Sequence, residues 1–372
     1  MDSPAAISSP RPVPKPWIET IHAYVPGKSA GQDGKPLKKL SANENPLGCS
    51  PAARAAFAAP GDPARYPDPD ATELREAIGA LHRVDPARIV CGTGSGELLH
   101  CAVQAFAAEG DEVVMPRHSF SLYPLLANKV GAKPIFADMA GDTASVDALL
   151  GAVTANTRVV LLDNPNNPMG SFVAREEVAR LHAGLPGDVL LIIDQAYAEY
   201  IDDPDPDGAM ALSAATDNVL VTRTFSKAYG LAAARVGWAT GAAHLINLIN
   251  RLRGAFNVNA VGLAAARAAI ADQDFVASSR DHNRRELDRF EAAIAALGNH
   301  GLSAVPSQAN FSLVRFAGPL TAAAALEALA AGGYAVRHLP SQGLGDALRI
   351  TIGSRSDMEA VTAILAAAAE NA

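Results

Sequence analysis

Cysteine is scarce in this chain. Its 372 residues hold three, Cys49, Cys91 and Cys101, with no CxxC or other metal-ligand spacing. So few thiols, and an odd number, exclude a disulfide framework, fit a reducing cytoplasm and give no reason to expect a metal. Excess basic charge is missing too. A net charge of −8 and a pI near 5.6 argue against nucleic acid or an anionic membrane as partner. Any affinity for phosphate must then come from a few placed Arg and Lys residues. No stretch approaches the roughly 20 apolar residues of a membrane span. The opening MDSPAAISSPRPVPKPW lacks the apolar run of a signal peptide and reads as a disordered lead-in. No internal repeat is visible, and a soluble, cytoplasmic protein is expected.

What is present is ordinary globular material, 49% hydrophobic and 19% charged. The length suits one large and one smaller domain. Residues 17–40 are polar and broken by Gly and Pro, like an arm, so the lead-in and arm are taken as 1–42. Short apolar, β-branched runs follow at Arg88–Cys91, Asp111–Met115, Lys133–Phe136, Thr157–Leu162, Val189–Ile193, Asn218–Thr222 and Val236–Ala239. Most are separated by Ala- and Leu-rich helical segments. Such alternation predicts an α/β domain over 43–262, with a mainly parallel seven-stranded sheet covered by helices. Residues 263–372 begin with a long helical stretch to about 297. Strand-like runs follow at Asn310–Phe316, Tyr334–Arg337 and Leu348–Ile352, then a final Ala-rich helix, which together predict a smaller α+β domain.

In a sheet of this kind ligands bind beyond the carboxyl ends of the strands. The polar motifs stand there: GTGSGE after Cys91, NPNNP after Asp163, DQAY after Ile193 and RTFSK after Thr222. Lys227 follows its strand directly, and its amine can form an imine with an aldehyde cofactor. Alone it would be a solvated loop lysine. Thr224, Ser226 and Arg235 nearby offer two hydroxyls and a guanidinium that can grip a phosphate. Asp194 ends a buried strand, where a carboxylate is costly unless paired. A structural cap is one use for it, and a protonated pyridine nitrogen is another. Tyr197 and Asn167 can both donate to a ring oxygen, although Asn-Pro pairs are first of all turn formers. The backbone N–H groups of Gly94, Ser95 and Gly96 open a helix and make an anion site. Phe120, with Tyr123 close by, can stack on a ring face or simply fill the core. These are the parts that pyridoxal 5′-phosphate (PLP) requires: a lysine, a carboxylate, ring-oxygen donors, a stacking group and a phosphate cradle.

Taken in chain order, the Asn-Pro-Asn-Asn-Pro, Asp-Gln-Ala-Tyr and Ser-Lys-Ala-Tyr-Gly-Leu blocks resemble the fold-type-I, PLP-dependent class I/II aminotransferases, from about residue 20 to 368. Tyr24-Val-Pro-Gly-Lys28, Leu40–Gly48, Arg65-Tyr-Pro-Asp68 and Leu348–Gly353 are most similar to the histidinol-phosphate branch of that family. The resemblance implies PLP carried on Lys227, with Asp194 and Tyr197 beside it in catalysis. It implies histidinol phosphate and 2-oxoglutarate (or glutamate) as substrates, bound through Tyr24, Asn45, Asn167, Arg337 and Arg349. It further implies a homodimer in which Tyr66 reaches the phosphate held by the neighbouring subunit. An aromatic amino-acid aminotransferase and a PLP decarboxylase of a phosphorylated amino acid share the same pattern and stay open. The chain departs from the family's usual residues at Gly96, Met169, Gln195 and Leu231–Ala234, and Met169 stands where it could alter the pocket.

Overall fold

The computed structural model describes residues 12–19, 21, 36–59 and 61–372. Seven strands form the main sheet: β1 (Ile89–Gly92), β2 (Glu112–Pro116), β3 (Lys133–Ala137), β4 (Thr157–Asp163), β5 (Leu190–Asp194), β6 (Val219–Thr224) and β7 (Gly237–Gly241). Their order is β1-β7-β6-β5-β4-β2-β3. The apolar runs are nearly continuous because both faces are covered. Val160, Leu162, Leu191 and Ile193 enter the core on one face. Val159, Leu161, Leu190 and Ile192 enter the core on the other. Each such side chain contributes roughly 1.5–3 kcal/mol on burial.

The strands from β3 across to β6 are parallel, whereas β7 runs against both of its neighbours. The link from β6 to β7 holds only a single-turn helix, Ala232–Ala234. Without a crossover helix the chain turns straight back, which yields an antiparallel neighbour. This hairpin-like link also carries Lys227 and Arg235, so strand order places both beside the ends of β4 and β5.

A second, wholly antiparallel sheet follows, in the order β8-β9-β11-β10. Its strands are β8 (Leu302–Val305), β9 (Phe311–Phe316), β10 (Arg337–Leu339) and β11 (Leu344–Thr351). No expected strand covered β8, and β11 is longer than its apolar run suggested. The long helical stretch is in fact two helices, Ala260–Ala271 and Gln273–Ala296. They part at Asp272, whose carboxylate accepts the Phe275 N–H and caps the second. The last helix, Arg355–Glu370, opens with a reciprocal cap between Ser354 and Asp357. Lys38–Lys39 pairs in parallel with Tyr334–Ala335. Leu40 is buried in the core of the second sheet, so the segment entering the site is anchored there. No helix among the described residues is long and apolar enough to cross a membrane.

Candidate active site

Asp163 and Asp194 are the last residues of β4 and β5 and lie side by side in register. Both are buried. Asp194 receives the Thr222 hydroxyl at 2.8 Å and the Tyr123 hydroxyl at 3.3 Å. Burial pushes its carboxyl up to about 6, against the pull of those hydroxyls and of the Lys227 charge. Its donors are neutral, so a cationic ring nitrogen would meet an unmatched acceptor. Lys227 is half-buried, and its Nζ donates to the Ala42 carbonyl at 3.0 Å. Burial, then the nearby Arg349 charge, brings its amine down to about 7. An amine with that pKa is substantially neutral near pH 7 and can act as nucleophile or base.

Two groups are polarised to donate toward the space beside Lys227. The Tyr197 hydroxyl accepts from the Asn43 amide at 2.8 Å, which leaves its own proton to give away. Burial holds that hydroxyl up at about 12, so it stays protonated. Asn43 is fixed by Thr351, whose hydroxyl donates to Asn43 Oδ1 at 3.0 Å. In the same way Asn167 Oδ1 accepts from Arg349 Nη1, which leaves the Asn167 NH2 free to donate. The Lys227 amine lies 5.7 Å from the centre of the Tyr197 ring.

A turn able to cradle a phosphate opens where the helix Ser95–Phe106 begins. Gly94 has φ near +80°, and a Cβ there would come within 2.6 Å of Arg235 Nη2. Gly237 lets β7 pass against the same turn, where a Cβ would strike the Ser95 nitrogen at 2.3 Å. Arg235 reaches the Ser226 hydroxyl at 3.2 Å and the Thr93 carbonyl at 3.5 Å, and among the described residues it has no acidic partner. Thr224 Oγ1 accepts the Ser226 N–H at 3.1 Å and so shapes the loop. The site therefore has a carboxylate without a bonded cation, a guanidinium without a carboxylate, and a lysine amine within electrostatic reach of both. That donor set fits PLP, with Asp194 for the ring nitrogen and the Gly94–Gly96 turn, Ser226 and Arg235 for the phosphate.

Arg349 on β11 lies opposite Arg337 on β10. Arg349 also donates to the Ser41 carbonyl at 2.8 Å and packs over Phe311. The Arg337 side chain makes no hydrogen bond or ion pair among the described residues. Phe120 makes an edge contact with Tyr123 at 5.9 Å. Tyr123 itself is a buried partner of Asp194 rather than a second stacking ring. Asn45 donates to the Ala228 carbonyl at 2.8 Å and to Ser279 at 2.9 Å, which ties the incoming segment to the Lys227 loop. Tyr66 is 81% exposed and stacks on Phe256. Tyr24 lies outside the described residues. Met169 turns away from the pocket and packs among Val305, Leu313, Leu339, Leu344 and Ala347. Gln195 bridges Arg223 at 2.7 Å and Asp207 at 2.6 Å, a task for a neutral amide rather than an acid.

Sequence reasoning missed Asp163, Asn43 and Thr222. Asp163 carried the very signal that drew attention to Asp194, an acid closing an apolar strand. Asn43 and Thr222 had none, because their importance comes from partners distant in sequence.

The chain belongs to the class I and II aminotransferase family, whose model matches residues 35–365. It is 60% identical over 366 residues to the histidinol-phosphate aminotransferase of Erythrobacter litoralis, covering 98% of this chain and 100% of that one. The enzyme of the same name from Zymomonas mobilis is 53% identical, over 96% of this chain and 97% of its own. Among solved structures, the histidinol-phosphate aminotransferase of Sinorhizobium meliloti in complex with pyridoxal-5′-phosphate has a TM-score of 0.87 at 28% identity. That match covers 96% of this chain and 97% of the other.

Proposed function

We propose that the protein moves the amino group of histidinol phosphate to 2-oxoglutarate, yielding imidazole acetol phosphate and glutamate, as a step of histidine biosynthesis in the cytoplasm. PLP is the cofactor and Lys227 its carrier. The observation that carries the choice of donor is the pairing of Arg337 with Arg349 across β10 and β11. Two guanidiniums on one face, one of them without an acid, suit an anion with more acceptor oxygens than a carboxylate has. The same fork accepts the dicarboxylate in the second half of the cycle.

When bound, PLP supplies an aldehyde for the substrate amine and an electron sink for the bond broken at the α-carbon. Lys227 would be the general base that takes the proton from the amine-bearing carbon of the donor and delivers it to the cofactor carbon that receives the nitrogen. Asp194 keeps the ring nitrogen protonated. Tyr197 and Asn167 donate to the ring oxygen, and Phe120 covers one ring face. The Gly94–Gly96 turn, Thr224, Ser226 and Arg235 hold the phosphate in place. Arg349 and Arg337 orient the donor, with Tyr24 and Asn45 closing that side.

The site is shared in a homodimer. An outward-facing Tyr66 stacked on a partly exposed Phe256 supports this, because a ring so placed leaves an apolar face open for a second chain to cover. The division is placed at residues 42/43 and 262/263, setting apart the arm, the cofactor half and the arginine half, although the second boundary falls within the helix Ala260–Ala271, which packs in the core of the seven-stranded sheet. A donor panel with the purified protein and 2-oxoglutarate tests the substrate. Histidinol phosphate should exceed phenylalanine, tyrosine and histidine in kcat/KM, and equal values for phenylalanine would make this an aromatic aminotransferase. Mixing Lys227→Ala and Tyr66→Ala protomers, each inactive alone, should restore part of the activity. Verified heterodimers with none would put each site within a single chain.

A further inference from the structure

Asp163 has no role in the chemistry described so far, yet it is the most heavily engaged side chain at the strand ends. It is only 3% exposed and stands next to Asp194 in register. A buried strand-end carboxylate is ordinarily matched by a cation. Asp163 has none among the described residues, and every donor to it is a neutral N–H. Its Oδ2 accepts the backbone N–H of Phe120 at 3.1 Å and that of Asn167 at 2.8 Å. Its Oδ1 accepts the Asn166 amide at 3.0 Å, and the same amide donates to the His118 carbonyl at 2.9 Å. Phe120 arrives on the loop after β2, and Asn167 on the loop after β4. One oxygen atom therefore joins the segment bearing the stacking ring to the segment bearing the ring-oxygen donor.

We propose that Asp163 is a positioning residue for the cofactor ring: by receiving both N–H groups on a single oxygen, it sets the gap between the Phe120 face and the Asn167 amide. A ring gripped from its face and its edge tolerates little error, since a displacement near 1 Å can cost about 10²-fold in rate. The carboxyl is raised to about 7 in all: burial is the largest cause, the Asn167 N–H pulls against it, the Asp194 charge adds to the rise and the Phe120 N–H opposes it. The inference rests on Phe120 and Asn167 as cofactor contacts and not on the identity of the amino donor.

The test uses full-length apo-protein refilled with PLP, reading the dissociation constant, the induced circular dichroism of the bound cofactor and the melting temperature of the apo-form. Asp163→Asn keeps an oxygen that can accept both N–H groups but turns its NH2 against the Asn166 NH2, so affinity and dichroism should fall less than in Asp163→Ala. Asp163→Glu keeps the charge but moves the oxygens, and Asp163→Ala removes them. Both should weaken binding by about tenfold or more and reduce the dichroism, with little change in apo-form melting. Asp163→Asn binding no better than Asp163→Ala would mean that an oxygen in the bracketing position does not set the ring. A loss of affinity that follows an equal loss of melting temperature, with dichroism intact, would mark a purely structural acid. Either result overturns the proposal, as does unchanged binding in Asp163→Glu. Phe120→Ala and Asn167→Ala identify the failing step. If neither weakens binding, the contacts are wrong and the proposal falls with them. If they do and the Asp163 variants do not, only the bracket is wrong.

Discussion

The two sheets meet at the site with opposite chemistry. The seven-stranded sheet ends in Asp163 and Asp194, both buried, whereas the antiparallel sheet presents Arg337 and Arg349, both half-exposed. Buried carboxylates cannot be solvated when their partner leaves, so they suit a group that stays through every turnover. Half-exposed guanidiniums keep water as an alternative partner, and they suit ligands that come and go. On the proposed function, retention and exchange fall to different sheets, by depth of burial as much as by charge.

Asp194→Ala would break that contrast most severely. The phosphate cradle is untouched, so the cofactor should stay while kcat falls by at least about 10²-fold, as for other single electrostatic stabilisers. Steady-state kinetics beside a cofactor titration would check it, and a change confined to cofactor affinity would contradict the role. Arg337→Ala comes next. It should weaken histidinol phosphate more than phenylalanine by about 1.5–3 kcal/mol in kcat/KM, the range for a lost charge-assisted bond. Arg349→Ala should damage both donors, and equal losses from Arg337→Ala would make that residue a surface cation only.

The smallest effect concerns how the two halves communicate. After burial, the Arg349 charge is the largest influence holding the Lys227 amine down at about 7, while Glu44 and Asp194 raise it. The neutral amine should therefore grow in through pH 7 rather than pH 10.5, and the rate at which apo-protein captures PLP should rise with it. Arg349→Ala should move that limb upward. A limb that does not move would disconnect the arginine face from the lysine. The folded chain holds this proton less tightly than the unfolded chain does, so the penalty to stability is full below about pH 7 and fades as pH rises from 7 to 10.5.

Sequence and structure agree best where a single element carries the information. Lys227, Asp194 and the Gly94–Gly96 turn are each placed by the strand immediately before them, so an apolar run followed by a polar motif was enough to find them. Agreement is poorer where a residue's value depends on a distant partner. The Asn45 amide donates to Ala228 and Ser279, partners that nothing in its own stretch of sequence marks. Met169 stands two residues from Asn167, yet it packs into the face of the antiparallel sheet. The direction of β7 was equally out of reach, because apolar runs read the same in parallel and antiparallel strands.

By itself the sequence determined which residues form strands, which acids and amides stand at strand ends, and that a lysine, a carboxylate and a phosphate cradle occur in one chain. These follow from burial and turn chemistry, which act over a few neighbouring residues. Only the tertiary structure decided that Asn43 and Arg349 turn Tyr197 and Asn167 into donors, and that Arg337 lies beside Arg349. It also decided that one carboxylate, Asp163, joins the loop of Asn167 to Phe120, which lies 43 residues before Asp163 in the chain. Those outcomes depend on strand order and register, which arise from the packing of the whole sheet and leave no mark on any short stretch of sequence.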